Sequence, residues 1–472
     1  MKKVIALLLM GSALLSACSA EDTTVTIVKQ VIEAPIYENV SVHDPSIWVD
    51  ETEKYIIGSH LQFAKSEDLM KWEMLSESVA SSNLFKDVFA EFEEEFAYAR
   101  TTTFWASDII QLEDGRYYLY YCLCEGSSPL SVLGVAVADT IEGPYEKVES
   151  FLTSGKGLSP DGQTYDATIH PNAIDPHVFY DDAGELWMVY GSYSGGIFIP
   201  PMDKTTGLPT EKTYGTKLLG GNHARIEAPY ILFNPDTEYY YLFTSFGGLD
   251  ASGSYNIRVA RSKNPDGPYE DMNGQDMIGA KGSEGTIFDD ISIAPYGTKL
   301  MGNYTWKYNE NEEYGYVSPG HNSAYYDEEL EQYFIVFHTR FRKMGEMHEV
   351  RVHMLLFNED GWPVIAPRRY AGEKVENVSY GDIQGDYLLI EDQNVIVPDA
   401  IVSQNVTITD QKVSGDYSGK VELGKNGLAS LLIDGETIKG HFLPQWDDYT
   451  NKQTLTFTGL TSEGKAFMMV RK

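Results

Sequence analysis

Glu238-Tyr-Tyr-Tyr-Leu-Phe-Thr-Ser245 is an aromatic run that opens on an acid and closes on a hydroxyl. Residues of this kind suit a pleated, buried strand. Alone the run would say little, but it recurs. Lys54-Tyr-Ile-Ile-Gly-Ser-His60, Arg116-Tyr-Tyr-Leu-Tyr-Tyr121, Glu185-Leu-Trp-Met-Val-Tyr-Gly-Ser192 and Glu331-Gln-Tyr-Phe-Ile-Val-Phe-His338 share its form: a turn, two or three aromatics, then Ser, Cys or His. Several units have an echo downstream, in Leu61-Gln-Phe-Ala-Lys-Ser66, Gly134-Val-Ala-Val-Ala138 and Ile257-Arg-Val-Ala-Arg-Ser262. Turns then lead to Trp72, Gly143-Pro-Tyr145 and Gly267-Pro-Tyr269. Weakly similar units roughly fifty to seventy residues apart are the signature of a β-propeller. A sandwich would not repeat this way. The expected fold is all-β, a five-bladed propeller over 39–375.

The repeats stop near Trp362-Pro-Val364, and Arg368-Arg-Tyr-Ala-Gly-Glu373 reads as the exit from the propeller. From about 380 to 472, short Val, Ile, Thr and Leu runs alternate with Lys425-Asn-Gly-Leu428 and Ile433-Asp-Gly-Glu436, a hairpin signature. This segment is expected to form a small β-barrel or sandwich with a supporting role, since it carries no cluster of acids and histidines. One helical pattern interrupts the propeller at 83–100. Phe85, Val88, Phe89, Phe92 and Phe96 follow helical spacing, with Glu91, Glu93, Glu94 and Glu95 between them. The acids read as a solvated face, on an insertion that could wall a groove.

With 36 Lys and Arg against 70 Asp and Glu, the chain carries a net charge of −34. That field repels nucleic acid and anionic polymers and favours a neutral substrate. Lys2-Lys3, an apolar run from Val4 to Leu15 and small residues before Cys18 form a secretory signal over 1–18. Its Leu15-Ser-Ala-Cys18 end resembles a bacterial lipobox, which implies lipidation of Cys18 and tethering outside the cytoplasm through a polar leader at 19–38. The membrane would be touched only through that anchor. Cys122 and Cys124 share one face of a strand and are badly placed for a mutual disulfide, so both are expected as buried thiols.

Asp44 in Val42-His-Asp-Pro-Ser-Ile47, Asp175 in Asn172-Ala-Ile-Asp-Pro-His-Val-Phe179 and Glu227 in Arg225-Ile-Glu-Ala-Pro-Tyr230 each stand just ahead of a proline and a strand. One Asp-Pro is ordinary turn punctuation; three acids in different units suggest one composite site at the converging strand starts. Proline should hold Asp44 and Asp175 extended. Glycoside cleavage needs an acid for the leaving oxygen and a base or nucleophile opposite, and a further carboxylate raises the acid's pKa. Arg225, two residues before Glu227, is expected to orient or balance it. His43 and His177 read as hydrogen-bonding supports of the neighbouring acids. Trp105 suits either a pentose ring or the core.

These motifs, with Trp105-Ala-Ser-Asp108, Tyr190-Gly-Ser-Tyr-Ser-Gly-Gly-Ile197 and Ser318-Pro-Gly-His-Asn-Ser323, resemble glycoside hydrolase family 43. More narrowly they resemble its bacterial endo-1,5-α-L-arabinanases with a C-terminal β domain. The resemblance implies inverting, endo-acting hydrolysis of arabinan. It makes Asp44 the general base, Glu227 the general acid and Asp175 the group that tunes the acid and orients it and the sugar. It implies substrate contacts at Asp44, Gly126, Asn172, Ala173, Ile174, Asp175, Ser192, Tyr193, Ser194, His223, Ala224, Arg225, Ile226 and Glu227. It also implies a largely water-ligated calcium ion at His321, although calcium by itself prefers oxygen ligands. Ala228 stands where glycine is also common in the family. A monomer acting on arabinan or its oligosaccharides is expected. The alternatives are an exo-acting arabinofuranosidase or xylosidase with the same triad, and a catalytically dead glycan-binding propeller.

Overall fold

A computed structural model describes residues 29–50, 52–311 and 313–472; the expected signal, Cys18 and most of the leader lie outside them. Five blades form the propeller. The first blade runs outward through Ser46–Val49, Lys54–Ile57, Phe63–Ser66 and Glu73–Ser76. The second runs through Asp108–Gln111, Tyr117–Cys124, Ser131–Ala138 and Glu146–Ser154. In the third, His177–Tyr180, Leu186–Val189 and Pro201–Met202 form a sheet beside the ribbon Ile197–Ile199 and Thr216–Leu219. The fourth comprises Ile226–Asn234, Tyr239–Phe246, Asn256–Ser262 and Thr298–Met301. The fifth comprises Tyr316–Asp327, Gln332–Phe341, His348–Phe357 and Pro363–Arg369.

Every sequence repeat falls on the second strand of its blade. That strand has a partner on both edges and another blade on each face, so apolar residues are favoured at successive positions, not alternate ones. Tyr117–Cys124 is buried throughout. The first strands line the axis and are joined by short polar contacts. Asp108 of the second blade accepts hydrogen bonds from Ser46 Oγ in the first at 2.5 Å and from Val178 N in the third at 2.7 Å. Ser323 Oγ of the fifth blade donates to Pro45 O at 2.8 Å and so closes the ring.

The helical pattern at 83–100 forms two short helices, Val88–Glu91 and Glu93–Ala99, not one. Asp87 caps the first, Phe92 breaks the pair and Arg100 ends the second in a left-handed conformation. Phe85, Val88 and Phe92 pack on Phe104, Tyr121 and Tyr145. Glu95 is not on a solvated face; it is buried and paired with Lys147 Nζ at 3.0 Å and Ser150 Oγ at 2.7 Å.

Gly385–Asp392 to Ala466–Arg471 form a closed eight-stranded antiparallel barrel. Its Asn426-Gly427 and Asp434-Gly435 turns have positive φ at both residues, the geometry that matches the twist of a two-residue hairpin. The barrel is fastened to the propeller by a parallel pairing of Tyr304 and Thr305 with Ile401 and Val402 and by buried charges. Lys299 Nζ meets Asp392 Oδ1 at 2.7 Å. Arg368, at the end of the last blade, meets Asp447 at 3.3 Å, and Tyr308 donates to the same carboxylate at 2.6 Å. Truncating one partner leaves the other charge buried and unpaired. Arg368→Ala is therefore expected to cost about 3–5 kcal/mol in denaturant unfolding; an unchanged midpoint would remove this clamp from the account.

Candidate active site

Asp44, Asp175 and His321 meet at the axis, where they line a narrow cavity of about 20 Å³ with Ser46, Ser107 and Asn322. The space is enough for about one water. Asp44 and Asp175 are not extended: their φ angles are 59° and 56°. Proline disfavours the right-handed helical region for the preceding residue, and aspartate is among the residues that tolerate the left-handed one. Ala228, also before a proline, and His321 adopt the same conformation, at 57° and 47°. These kinks interrupt the ladders of the fourth and fifth blades between Glu227 and Tyr230 and between Val317 and Ser323. They turn side chains at the strand entrances toward the axis.

Asp44 is saturated with donors. His43 Nδ1 lies 2.7 Å and Ser59 Oγ 2.5 Å from Oδ2, and His321 Nδ1 lies 2.9 Å from Oδ1. Burial opposes its charge, but His321 and His43 outweigh burial and hold the carboxyl well below its usual range. The exchange is mutual. Burial disfavours the His321 imidazolium, yet Asp44 and then Asp175 push its pKa up to about 9. Asp44 N donates to His338 Nδ1 at 3.1 Å, which fixes the His338 proton on Nε2, and the His338 ring stacks on His43 at 4.1 Å.

Glu227 accepts from Ser192 Oγ at 2.8 Å and from Tyr255 OH at 2.9 Å. Asp175 Oδ2 accepts from Ala228 N at 3.2 Å, which joins the third blade to the fourth beside Glu227. The two carboxyls are coupled. Burial raises both, Glu227 adds to the rise at Asp175, and the His321 cation opposes it in each. Asp175 reaches about 8. Near neutrality the pocket therefore holds an ionised Asp44, a cationic His321 and a carboxyl pair that retains a proton.

Other expectations resolve differently. Arg225 does not orient Glu227; its guanidinium makes a two-point contact with Asp290, at 3.0 Å from Nε to Oδ1 and a shorter one from Nη2 to Oδ2. Asn222 and His223 are both left-handed, and Ala224 N–H closes a turn onto Gly221 O, so the chain before Arg225 is not an extended segment. His177 supports Asp108, 3.4 Å away, and stacks on Tyr230 at 3.5 Å instead of serving Asp175. His43 does support Asp44. Asn172 Oδ1 is engaged by Ser131 Oγ at 2.5 Å and Ser154 Oγ at 3.3 Å. The side chains of Ala173, Ile174, Ala224 and Ile226 lie in the cores between blades, so only their backbones can face a ligand. Ser194 is buried, while Tyr193 and His223 are half-exposed at the rim. Trp105 is half-exposed and donates to Cys124 O at 2.9 Å, its ring closing over Gly126, where a Cβ would come within 3.1 Å. Cys122 and Cys124 are free, buried thiols.

Ser59, Tyr255 and His338 were missed. Ser59 and His338 had a signal, since they are the polar residues that close two of the repeats; Tyr255 had none.

The model for "Glycosyl hydrolases family 43" matches residues 32–363, and that for "C-terminal lipocalin-like domain" matches 367–469. The chain is 53% identical over 438 residues to the extracellular endo-α-(1→5)-L-arabinanase 2 of Bacillus subtilis, covering 92% of this chain and 93% of that one. A family 43 glycoside hydrolase crystal structure from Bacillus licheniformis superposes with a TM-score of 0.90 at 53% identity, covering 93% of this chain and 99% of that one. The endo-1,5-α-L-arabinanase of Thermotoga petrophila superposes with a TM-score of 0.89 at 45% identity, covering 93% and 100%.

The raised pair carries a stability cost with a definite sign. An unfolded Asp175 ionises near 3.8, whereas the folded group keeps its proton to about 8. Stability is thus lost as pH rises through that window, and an amide escapes the loss. Asp175→Asn is expected to melt close to the wild type at pH 4 and at least ~2 °C above it at pH 8. Melting curves at the two pH values check this; a gap that does not widen with pH would contradict the buried-proton account.

Proposed function

The chain belongs to glycosyl hydrolase family 43, and from that premise we propose that it is an extracytoplasmic endo-arabinanase that cleaves 1,5-α-L-arabinofuranosidic bonds with inversion. The carrying observation is the placing of Asp44 and Asp175 in one axial cavity, with Glu227 electrostatically coupled beside them, in a chain so similar to endo-arabinanases. A dead glycan-binding propeller would have no need to keep all three.

Glu227 is the acid. Burial favours its neutral form, and Ser192 and Tyr255 hold both oxygens in place. It gives its proton to the glycosidic oxygen as the C–O bond breaks. Asp175 sits beside it as the second member of the proton-retaining pair, tuning its acidity and contacting the sugar. Asp44 lies on the first blade and Glu227 on the non-adjacent fourth, and inversion requires that the two carboxyls flank the sugar with a water between base and anomeric carbon. Held so far down, Asp44 is a weak base. A weak base suffices when the anomeric carbon has become cationic, because the attacking water is then strongly acidified. Water's oxygen bonds to that carbon and its proton passes to Asp44.

The axial cavity offers donors to a calcium ion, but as it stands its 20 Å³ admits about one water and not a hydration shell. His321 Nδ1 is committed to Asp44, which leaves Nε2, and both amide atoms of Asn322 are buried without a protein partner. The ring would have to be neutral to ligate. Bound there, the ion would supply positive charge at the pocket floor. The lipobox-like Leu15-Ser-Ala-Cys18 supports attachment to the outer face of a bacterial membrane, and the protein is proposed to act as a monomer.

Linear arabinan should yield short oligosaccharides before arabinose accumulates, with little cleavage of aryl arabinofuranosides; early release of arabinose alone would refute endo action. Asp44→Asn and Glu227→Gln are each expected to lower kcat by roughly 10²–10⁴-fold while preserving the fold. The anomer first seen by NMR should be inverted relative to the α-linked substrate.

A further inference from the structure

Arg225, freed from the role expected of it, leads to a second feature. Its guanidinium is held by Asp290 and lies over the ring of Phe288 at 5.5 Å. Phe288 also meets Tyr193 edge-to-face, with centroids 5.5 Å apart at 76°, and its N–H donates to His223 O at 3.3 Å. For all these contacts the ring is 50% exposed, and its neighbours Ile287 and Ile291 are 70% and 87% exposed.

The backbone here is held in unfavourable geometry. Phe288 has a φ of 59°, and Tyr193, Ser194, Asn222 and His223 also lie in the left-handed region, with backbone hydrogen bonds running from Phe288 to His223 and from His223 to Ser194. Such conformations are uncommon outside glycine and cost about 1–3 kcal/mol each. Five of them lie in one patch that presents an aromatic ring to solvent. The patch adjoins Glu227: Ser192, which bonds that acid, is the residue before Tyr193, and Arg225 is two residues before Glu227.

We propose that Phe288, with Tyr193 at its edge, is a stacking platform for the leaving-group side of a neutral pentofuranose chain. This rests on the assignment of Glu227 as the acid. The acid protonates the oxygen that departs with the leaving group, so sugars on that side extend past Glu227, toward Tyr193 and Phe288. An aromatic face suits the apolar face of an uncharged sugar, and Asp290 fixes the Arg225 cation over one side of the ring, which holds the half-exposed ring in place. An exo-acting enzyme that removes single terminal sugars gains from such a platform only if it too takes long chains. The platform therefore makes the enzyme's preference depend on chain length on the leaving-group side.

Phe288→Ala should lower kcat/KM on linear arabinan roughly three- to tenfold, mainly through KM, flatten the rise of kcat/KM with oligosaccharide length, and be restored by Phe288→Trp. In the Glu227→Gln background, Phe288→Trp should add a saturable emission change on titration with linear arabino-oligosaccharides, larger for longer chains, beyond that of Glu227→Gln alone. This arm stands even if the alanine variant misfolds. Wild-type length dependence in a folded Phe288→Ala, or no added emission change, would overturn the platform while leaving the endo-arabinanase reading intact. A wild type that cleaves no arabinan would overturn both.

Discussion

The site depends on a backbone conformation held at four strand entrances. Asp44, Asp175, Ala228 and His321 occupy equivalent positions at the start of the first, third, fourth and fifth blades, all with left-handed φ. In three of them, the amide N–H points away from its own ladder and is taken by a group from the preceding blade. His338 of the fifth blade receives Asp44 N, and Asp175 of the third receives Ala228 N. Ser245 of the fourth receives His321 N at 2.8 Å. Three otherwise orphaned donors are thereby satisfied, and the strain that aims the side chains is offset across blade boundaries. Reactive groups and ring closure are consequences of the same contacts.

This explains what could be read in advance. The strand rhythm was legible because the second strand of each blade is buried on both faces, and its closing polar residue was conspicuous because Ser192, Ser245 and His338 have fixed partners in the next blade and Ser59 one in its own. The acids were legible through their prolines. Their conformation was not, since proline only removes one region and the choice between the remaining two is made by a hydrogen bond from another blade. Arg225 misled for a related reason: spacing within a strand says which residues share a face, but the turn at Asn222 and His223 lies immediately before it, and the partner, Asp290, is sixty-five residues later. The helices at 88–91 and 93–99 were visible as phenylalanines at helical spacing, while the break at Phe92 and the burial of Glu95 depend on the packing of Lys147 and Ser150.

The electrostatics of the pocket follow from burial more than from the net charge of −34. Surface charges are screened over about 8–10 Å in physiological salt, whereas Asp44, Asp175, Glu227 and His321 are all removed from water. Within that enclosure one cation serves three carboxyls. It sits closest to Asp44, and Asp44 ionises. Burial raises Asp175 and Glu227 against the opposing pull of the same cation, and the pair retains a proton. The division between a group that accepts a proton and a pair that retains one is set by where His321 is placed, and His321 is placed by the kink in the fifth blade.

That kink connects the barrel to the chemistry. Ser318, three residues before His321 and also left-handed, donates its N–H to Asn303 Oδ1 at 2.7 Å. The Asn303 amide nitrogen donates to Gly253 O in the fourth blade and to Pro398 O in the segment entering the barrel, both at 2.9 Å, and Asn303 O accepts from Ile401 N at the same distance. One buried carboxamide thus joins the barrel's linker, the fourth blade and the entrance of the fifth. Asn303 can satisfy Ser318 only if its nitrogen faces Gly253 and Pro398, so the linker fixes which end of the amide points at the kink. The barrel carries none of the reactive carboxyls, yet the segment that attaches it determines the seating of the strand from which His321 reaches Asp44. Through this one amide, beside the buried ion pairs, the barrel's linker reaches the strand that carries His321.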